Sequence, residues 1–353
     1  MPAIAPVTRP RRRRRYIGRS CAESVAPSDH DSYEAMSMIR TRLFTALGAA
    51  CLSLGLIACQ REAEPVAPGA TAAADDVPVV AEPAAAPLQT EVYNPGEKGL
   101  FQVASVLVTG AKDAVLIDAQ FSAADARRLV ERIKASGKRL SAIYISHGDP
   151  DYYFGVDTLQ TAFPEAKILA TAPTVEHIRS TQAGKLAYWG PKLGADAPKR
   201  IVVPEVLQGD RIELEGQSLQ IVGLDGPSPD RSFVWIPSIR TVAGGVPVVA
   251  GEHLFMADTQ TPKSHQDWLA TLAKIEALKP EKVIPGHFAP GSAQTLDAVH
   301  FSAGYIRAFD EEAAKAQDAN ALIAAMKQRY PQLGGDLSLE ISAKVAKGEM
   351  PWP

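Results

Sequence analysis

Short apolar segments with the two-residue alternation of β-strands recur between segments of helical spacing from about residue 88 onwards. "FQVASVLVTG" and "AVLIDAQF" predict two strands around a turn at residues 110–113, and "SAADARRLVERIKASG" predicts a helix that stops at Gly137. "LSAIYIS" and "KILATA" predict two more strands, followed by the helix "PTVEHIRSTQAGKLAYW". This order of elements predicts a layered α/β fold.

The second half of the chain continues the pattern with more strands. "RIELEGQSLQIVGL" predicts a hairpin around Glu215 and Gly216, and "SFVWIPSIRTVAG" and "VPVVAGEHLFMAD" predict further strands. "SHQDWLATLAKIEALKP" predicts a helix that leads into the strand "KVIPGH", and the chain after residue 294 reads as a helical cap. The predicted domain spans residues 91–353.

Polar residues follow four of the apolar strands, at Ser146 to Tyr152, Gly223 to Asp230, Asp258 and His287. In layered α/β folds a rigid sheet directs side chains at strand ends into a shared cleft. The sequence therefore predicts one site built from these four segments.

The motifs "SHGDPDYYFG", "HLFMADT" and "KVIPGHF" resemble those of the metallo-β-lactamase superfamily over roughly residues 92–300. The resemblance implies a four-layer αββα sandwich and a metal-dependent hydrolase. Of seven metal-binding positions in that family, four keep the family residue here, namely His147, Asp151, Asp258 and His287.

The remaining three positions depart from the family pattern. Asp149 stands at the second histidine, Tyr152 at the third, and Pro227 at the histidine of the Gly-His-Thr segment, with Asp225 the nearest alternative ligand. Exchange of imidazole for carboxylate makes a site harder and more negative, which favours Fe or Mn over Zn. One or two divalent ions are expected, and a single ion at Asp151, Asp258 and His287 is favoured because that set keeps three ligands and an open position.

The resemblance implies attack of metal-activated water on an ester, lactone, thioester, amide or phosphoester of a small-molecule substrate. Asp151 is expected to take part in catalysis, with Asp149 or Tyr152 assisting. A degenerate member that binds a ligand or partner without turnover is the alternative, since three histidines are replaced.

Local structure offers a second interpretation of "DPDYYF", with Asp149 as a helix N-cap, Pro150 in the first turn and Asp151 favoured by the helix dipole. Tyr152 then simply packs. The segment "GKLAYWGPKLGADAPK", residues 184–199, predicts a long loop whose aromatics could cover an apolar substrate or the core.

The other histidines carry less weight. His253 is expected on the opposite face of its strand, and His265 beside a helix cap, with a substitute ligand as the lesser alternative. His177 and His300 lie on predicted helices without a partner motif.

The first ninety residues contain no pattern of a folded domain. Residues 1–35, with "RPRRRRRY", are expected to be untranslated or disordered, and residues 36–58 form a signal peptide of a basic pair and an apolar stretch. Leu56-Ile57-Ala58-Cys59 resembles a lipobox, which implies lipidation of Cys59. Gln60 then implies an outer-membrane anchor with the domain facing the periplasm, on an Ala- and Pro-rich tether over residues 59–90.

Charge and cysteine content exclude several classes of function. Removal of residues 1–58 takes away nine arginines and four acidic residues, which changes the net charge from −3 to about −8. Such an acidic surface argues against nucleic acid as a partner. The three cysteines are Cys21, Cys51 and Cys59, so thiolate metal sites and cysteine nucleophiles are excluded from the domain.

Overall fold

The computed structural model describes residues 86–352. The predictions for residues 1–35 and 36–58, and nearly all of the tether at 59–90, lie outside this range. Within it, no helix is both long enough and apolar enough to cross a bilayer.

The first sheet has six strands in the order β1-β2-β3-β4-β5-β6. Strands β1, β2 and β3 pair antiparallel, whereas β3 to β6 pair parallel. Parallel neighbours need a crossover connection, which the helices between these strands provide. Their bounds are Gln89–Tyr93 (β1), Ser105–Thr109 (β2), Asp113–Ile117 (β3), Arg139–Ile145 (β4), Lys167–Ala170 (β5) and Glu205–Val206 (β6).

The second sheet has five strands in the order β12-β10-β9-β8-β7, with the β10–β12 pair parallel. The predicted hairpin forms between β7 and β8, where Glu215 and Gly216 both have positive φ. The bounds are Arg211–Leu214 (β7), Gln217–Val222 (β8), Phe233–Ile236 (β9), Thr241–Ala243 (β10) and Lys282–Val283 (β12). A separate parallel pair joins β11 (Val249–Ala250) to β13 (His287–Phe288).

Eight α-helices lie in the described range, and side-chain caps fix the starts of most long ones. The Thr261 hydroxyl and Ser264 form a reciprocal capping box at the start of α5, and Ser122 caps α1. The bounds are Ala123–Ala135 (α1), Pro150–Tyr153 (α2), Val156–Ala162 (α3), Ala172–Leu193 (α4), Pro262–Ala277 (α5), Leu296–Lys315 (α6), Ala319–Arg329 (α7) and Asp336–Ala346 (α8).

Alternation along β3 shows how the layers assemble. Val115 and Ile117 face the core between the sheets, whereas Ala114 and Leu116 face a second core formed with α1, α3 and α4. Helices α5 and α6 cover the outer side of the second sheet, and Trp268 and Ile275 of α5 are among their buried apolar residues. The predicted αββα sandwich is confirmed, and its sheets bring the polar strand ends to one edge.

The prediction of a loop over residues 184–199 is wrong for its first ten residues. Helix α4 continues through Gly184, Gly190 and Pro191 to Leu193. Trp189 explains this, because its ring packs edge-on against Phe101 at 5.2 Å and Phe121 at 5.5 Å. Burial of this face offsets the cost of the helix-breaking residues.

The strand predicted over "VPVVAGEHLFMAD" is also largely wrong, because only Val249–Ala250 is a strand. Gly251 has a φ of 72° and ends the extended conformation. Beyond it, the C-terminal segment satisfies the backbone donors, since the amide of His253 donates to the carbonyl of Gly334 and that of Met256 to the Ser342 hydroxyl. Asp258 thus lies in a turn, not at a strand end.

Candidate active site

Asp118, at the end of β3, anchors the loop that carries the first motif. Its carboxylate accepts hydrogen bonds from the Ser146 amide at 2.8 Å and the Ser146 hydroxyl at 2.6 Å. The same hydroxyl accepts from the Gly245 amide at 2.6 Å, so three strand ends are tied together. Burial raises the pKa of Asp118 to about 7. The left-handed φ of 65° at this aspartate is uncommon outside glycine and marks a constrained position that the sequence analysis missed.

Asp149 occupies the N-cap position of α2, but its side chain caps no helix amide. One carboxylate oxygen lies 3.2 Å from His147 Nε2, and the other accepts a hydrogen bond from the Lys185 ammonium. Burial opposes the charged form, yet Lys185 and His147 outweigh it and hold the pKa of Asp149 well below its usual range. The helix-cap interpretation therefore describes the backbone of Asp149 and not the role of its side chain.

Three metal-ligating side chains converge at this point. Ligand atoms of His147, Asp149 and Asp258 all lie within 4.8 Å of one another. His147 Nδ1 lies 3.3 Å from the carbonyl oxygen of Asp230, an arrangement in which Nδ1 donates. Without an ion, the Asp149 carboxylate favours a proton on Nε2 and contributes to the raised pKa of His147; a bound ion would displace that proton and take the Nε2 lone pair, as in ligating histidines fixed by a carbonyl.

Trp352, the last described residue, holds Asp258. Its indole Nε1 donates to Asp258 Oδ1 at 2.6 Å. Burial, with a further contribution from the charge of Asp149, raises the pKa of Asp258 to about 7. A raised pKa is expected where two carboxylates share one site.

Asp151 and His287 form a second pair beside the cluster. His287 Nε2 lies 3.0 Å from Asp151 Oδ2. Burial lowers the pKa of His287, but the Asp151 carboxylate more than compensates, so that the net shift is upward. Asp258 groups with His147 and Asp149, and no described third ligand of this type joins Asp151 and His287.

Tyr152 is fully buried between the two histidines, with ring centroids 5.3 Å from His147 and 5.6 Å from His287. Its hydroxyl has no hydrogen-bond partner within the described part of the chain. Gly286 permits this packing, because a Cβ there would lie 2.8 Å from the tyrosine hydroxyl and 2.1 Å from the Gly245 carbonyl oxygen. The Pro-Gly-His motif thus needs its glycine for close approach.

Lys185 and His177, both on α4, complete the cluster although the sequence analysis gave neither a role. The Lys185 ammonium reaches Asp149 and lies 3.3 Å from His177 Nε2, and the lysine side chain is only 3% exposed. Burial and the neighbouring lysine charge lower the pKa of His177 to about 4, so its neutral ring can accept from the ammonium. Gly148 leaves room for this histidine, since a Cβ there would lie 2.4 Å from its ring.

Arg231 is a second buried cation that sequence reasoning missed. Its guanidinium stacks over the Trp268 ring at 4.8 Å, and its Nη1 has no hydrogen-bond partner in residues 86–352. The charge of this arginine is among the causes that lower the pKa of Asp258. A lone arginine in a polar segment carries no local signal that would reveal such a position.

Other residues weighed from the sequence lie apart from the cluster. Asp225 is 86% exposed at its side chain and pairs with Lys274 at 3.0 Å, so the structure does not bring it to the other ligand candidates. His265 is buried and bonds Asp310 and the Thr259 carbonyl, which fits a structural role. His253 lies 2.9 Å from the Tyr305 hydroxyl through Nδ1 and also borders the pocket described next.

A pocket opens beside the cluster. Its ionisable lining residues are Asp149, Asp151, Lys185, Glu252, His253 and His287. Its aromatic lining residues are Phe101, Phe121, Trp189, Phe255, Trp268 and Trp352. The lining thus combines large apolar rings with charged groups.

A sequence model described as the metallo-beta-lactamase superfamily matches residues 99–287, more than half of the 353 residues. The chain belongs to the metallo-beta-lactamase superfamily. At the level of the superfamily, this membership supports a metal-dependent hydrolase.

Two solved structures are similar to this chain. A beta-lactamase domain protein from Burkholderia ambifaria has 14% sequence identity and a TM-score of 0.52, with coverage of 74% of this chain and 84% of that one. A metallo-beta-lactamase from Pontibacter korlensis has 16% identity and a TM-score of 0.48, with coverage of 63% and 95% respectively. No curated protein matches the chain. Identities this low show the common fold and leave the substrate open.

The donor set fits the divalent metal that the superfamily implies. His147, Asp149 and Asp258 offer one imidazole nitrogen and two carboxylate oxygens close enough to share an ion. The two partly buried carboxylates favour a harder ion such as Mn or Fe relative to an all-histidine site. The buried, unpartnered hydroxyl of Tyr152 beside His147 is a further polar atom at this place.

Proposed function

We propose that this protein is a hydrolase that holds one divalent ion between His147, Asp149 and Asp258 and cleaves small molecules with an aromatic or otherwise apolar body. The observation that carries the proposal is the convergence of three ligand atoms within 4.8 Å from two distant segments of the chain. One of them, Asp149, lines a pocket that is rich in aromatic side chains.

A bound ion would supply Lewis-acid chemistry, polarising a carbonyl or phosphoryl oxygen and acidifying water. The protein supplies the proton transfers. His287 Nε2 lies 3.0 Å from Asp151, so the carboxylate holds the Nε2 proton, and the other ring nitrogen, Nδ1, would carry the proton that is given to the leaving oxygen or nitrogen as the scissile bond breaks. Asp151 then stabilises the ring's charge and orientation, as a carboxylate does for a catalytic histidine.

Asp149 and Tyr152 have positioning roles in this proposal. Asp149 is held on one side by Lys185 and faces His147 on the other, which fixes its carboxylate. Tyr152 separates the His147 and His287 rings and excludes water from between them. Neither residue needs to exchange protons with the substrate.

The walls of the pocket define the substrate class. Trp189 packs between Phe101 and Phe121, and Trp352 packs against Phe255 at 5.3 Å. Flat apolar walls of this kind favour an aryl or similarly planar group, with its ester, lactone, thioester, amide or phosphoester bond beside the charged groups.

Two paired variants test the proposal. Asp258→Asn removes a ligand of the cluster, whereas Asp225→Asn makes the same change at an exposed aspartate outside it. Elemental analysis of protein purified without chelators, together with hydrolysis of an aryl-ester panel, should show loss of metal and activity in D258N and retention of both in D225N. Equal metal content in the two variants would end the proposal.

A second candidate, a degenerate member that binds a ligand without turnover, is favoured by one observation. The Lys185 ammonium already places a positive charge against Asp149. Under this alternative the folded protein takes up no divalent ion at saturating concentration, yet aryl compounds still quench its tryptophan fluorescence. Metal-dependent turnover of any aryl ester eliminates it.

We also propose that the chain is anchored to the outer membrane through lipidated Cys59 and faces the periplasm. The support is the Leu56-Ile57-Ala58-Cys59 motif after the apolar stretch. Metabolic labelling with a palmitate analogue should mark the full chain and fail with Cys59→Ala, while Cys51→Ala keeps the label. Labelling of the C59A chain would overturn this proposal.

A further inference from the structure

Lys185 contacts a proposed metal ligand, yet the proposed hydrolysis assigns it no chemical step. Helix α4 carries it into the cluster with its side chain only 3% exposed. The ammonium donates to Asp149 and lies beside His177 Nε2 at 3.3 Å. A lysine buried this deeply is rare unless its charge is paired, so the contact with Asp149 is central to its presence there.

The ammonium and a divalent ion need the same carboxylate. Asp149 offers one oxygen to Lys185 and the other towards His147, and it is one of the three ligands of the cluster. Two cations that share a single carboxylate lie within a few ångströms of each other, and their repulsion is weakly screened where water is excluded. The lysine side chain is only 3% exposed and its ammonium lies 3.3 Å from His177 Nε2, so its displacement from Asp149 would break these contacts.

We infer that Lys185 is a resident cation that competes with the divalent ion for Asp149 and thereby sets how tightly the cluster binds metal. The inference rests on the metal cluster of the proposed function. Lys185 thus lowers the metal affinity of the cluster, so that the site fills only at a high concentration of free metal. Removal of the ammonium charge should therefore strengthen metal binding.

Substitution of Lys185 should strengthen metal binding if the lysine competes with the ion, and should leave it unchanged or weaken it if the lysine merely orients Asp149. Lys185→Met keeps the apolar stem and removes the charge. Lys192→Met makes the same change at an exposed position seven residues later in α4. Titration with Mn²⁺, followed by electron paramagnetic resonance, should show binding about tenfold tighter or more in K185M and unchanged in K192M. Unchanged or weaker binding in K185M overturns the inference.

A measurement on the unaltered protein covers the case in which K185M does not fold. The ¹⁵N resonances of lysine ammonium groups can be followed during titration with Zn²⁺, with assignment by Lys185→Arg. Saturating Zn²⁺ should shift the Lys185 signal and leave that of Lys192 in place. A Lys185 signal that does not respond while Zn²⁺ binds the cluster contradicts competition.

Failure of this inference is distinguishable from failure of the proposed function. If wild-type protein binds no ion but K185M does, the inference holds and the metal-hydrolase proposal for the natural chain fails. If wild-type protein binds metal and hydrolyses aryl esters while K185M binds metal more weakly, the function stands and the inference fails.

Discussion

The indole nitrogen of Trp352 donates a hydrogen bond of 2.6 Å to the carboxylate of Asp258, so the C-terminal segment positions a candidate metal ligand. The Trp352 ring also packs against Phe255 and against Tyr188 at 6.0 Å. The helices after residue 294 therefore do more than cover the sheet, because the segment that follows them reaches into the site.

Trp352→Phe should weaken metal binding with little effect on folding, because phenylalanine keeps much of the ring contact and loses the donor. Loss of a group that orients a ligand typically costs about 10-fold to 100-fold in metal affinity. Mn²⁺ titration measures the effect. Tyr188→Phe, which alters a neighbouring ring without touching a site carboxylate, is the control, and equal affinities for the two variants would contradict the positioning role.

Asp118→Asn should reduce the pH dependence of stability in chelator-treated protein. The pKa of Asp118 is raised from 3.8 to about 7 in the fold, so the folded state binds more protons than the unfolded state between these values. The protonated Asp118 therefore contributes to the free energy of unfolding below pH 3.8, and this contribution is lost as the pH rises to about 7. The loss is at most about 4 kcal/mol. Urea unfolding at about pH 5 and about pH 8 should show a larger decrease for wild type than for D118N. Equal decreases would show that Asp118 titrates normally.

Trp189→Ala should raise KM for aryl esters about 10-fold or more, because Trp189 forms part of the aromatic wall and loss of a large ring removes apolar contact. Its neighbour Tyr188 does not line the pocket, and Tyr188→Phe keeps the ring that packs against Trp189 and Trp352, so Y188F should leave KM unchanged. Steady-state kinetics with an aryl acetate and an alkyl acetate separate the effects. A loss of the same size for both esters in W189A would point to a damaged fold instead of a lost contact.

His287→Gln should lower kcat about 100-fold or more while metal content stays near that of wild type. The reason is that His287 pairs with Asp151 and is not part of the three-residue cluster. His147→Gln, by contrast, should lose metal and activity together. Elemental analysis alongside kcat for both variants checks this, and loss of metal from H287Q would place His287 among the ligands, as the family resemblance implies.

Much of the fold follows from local sequence. Alternation in β3 and β4, the serine before α1 and the Glu215-Gly216 turn act within a few residues, so the sequence predicts these elements correctly. The strand predicted up to Asp258 is wrong because backbone donors in that segment bond to Gly334 and Ser342, which are distant in the chain. No local pattern carries such information.

The sequence by itself determined a layered α/β fold through strand and helix periodicity, which depends on neighbours along the chain. The resemblance of its short motifs to the superfamily implied the αββα sandwich and a set of candidate ligands that includes His147, Asp149 and Asp258. Only the tertiary structure decided that Asp149 faces a lysine instead of a helix amide, and that Asp258 groups with His147 and not with Asp151 and His287. It also placed Lys185, His177 and Arg231 beside these carboxylates. The physical reason is that charge pairing and burial depend on distances between segments, and a helix such as α4 acquires its buried ammonium only when it packs over the sheet edge.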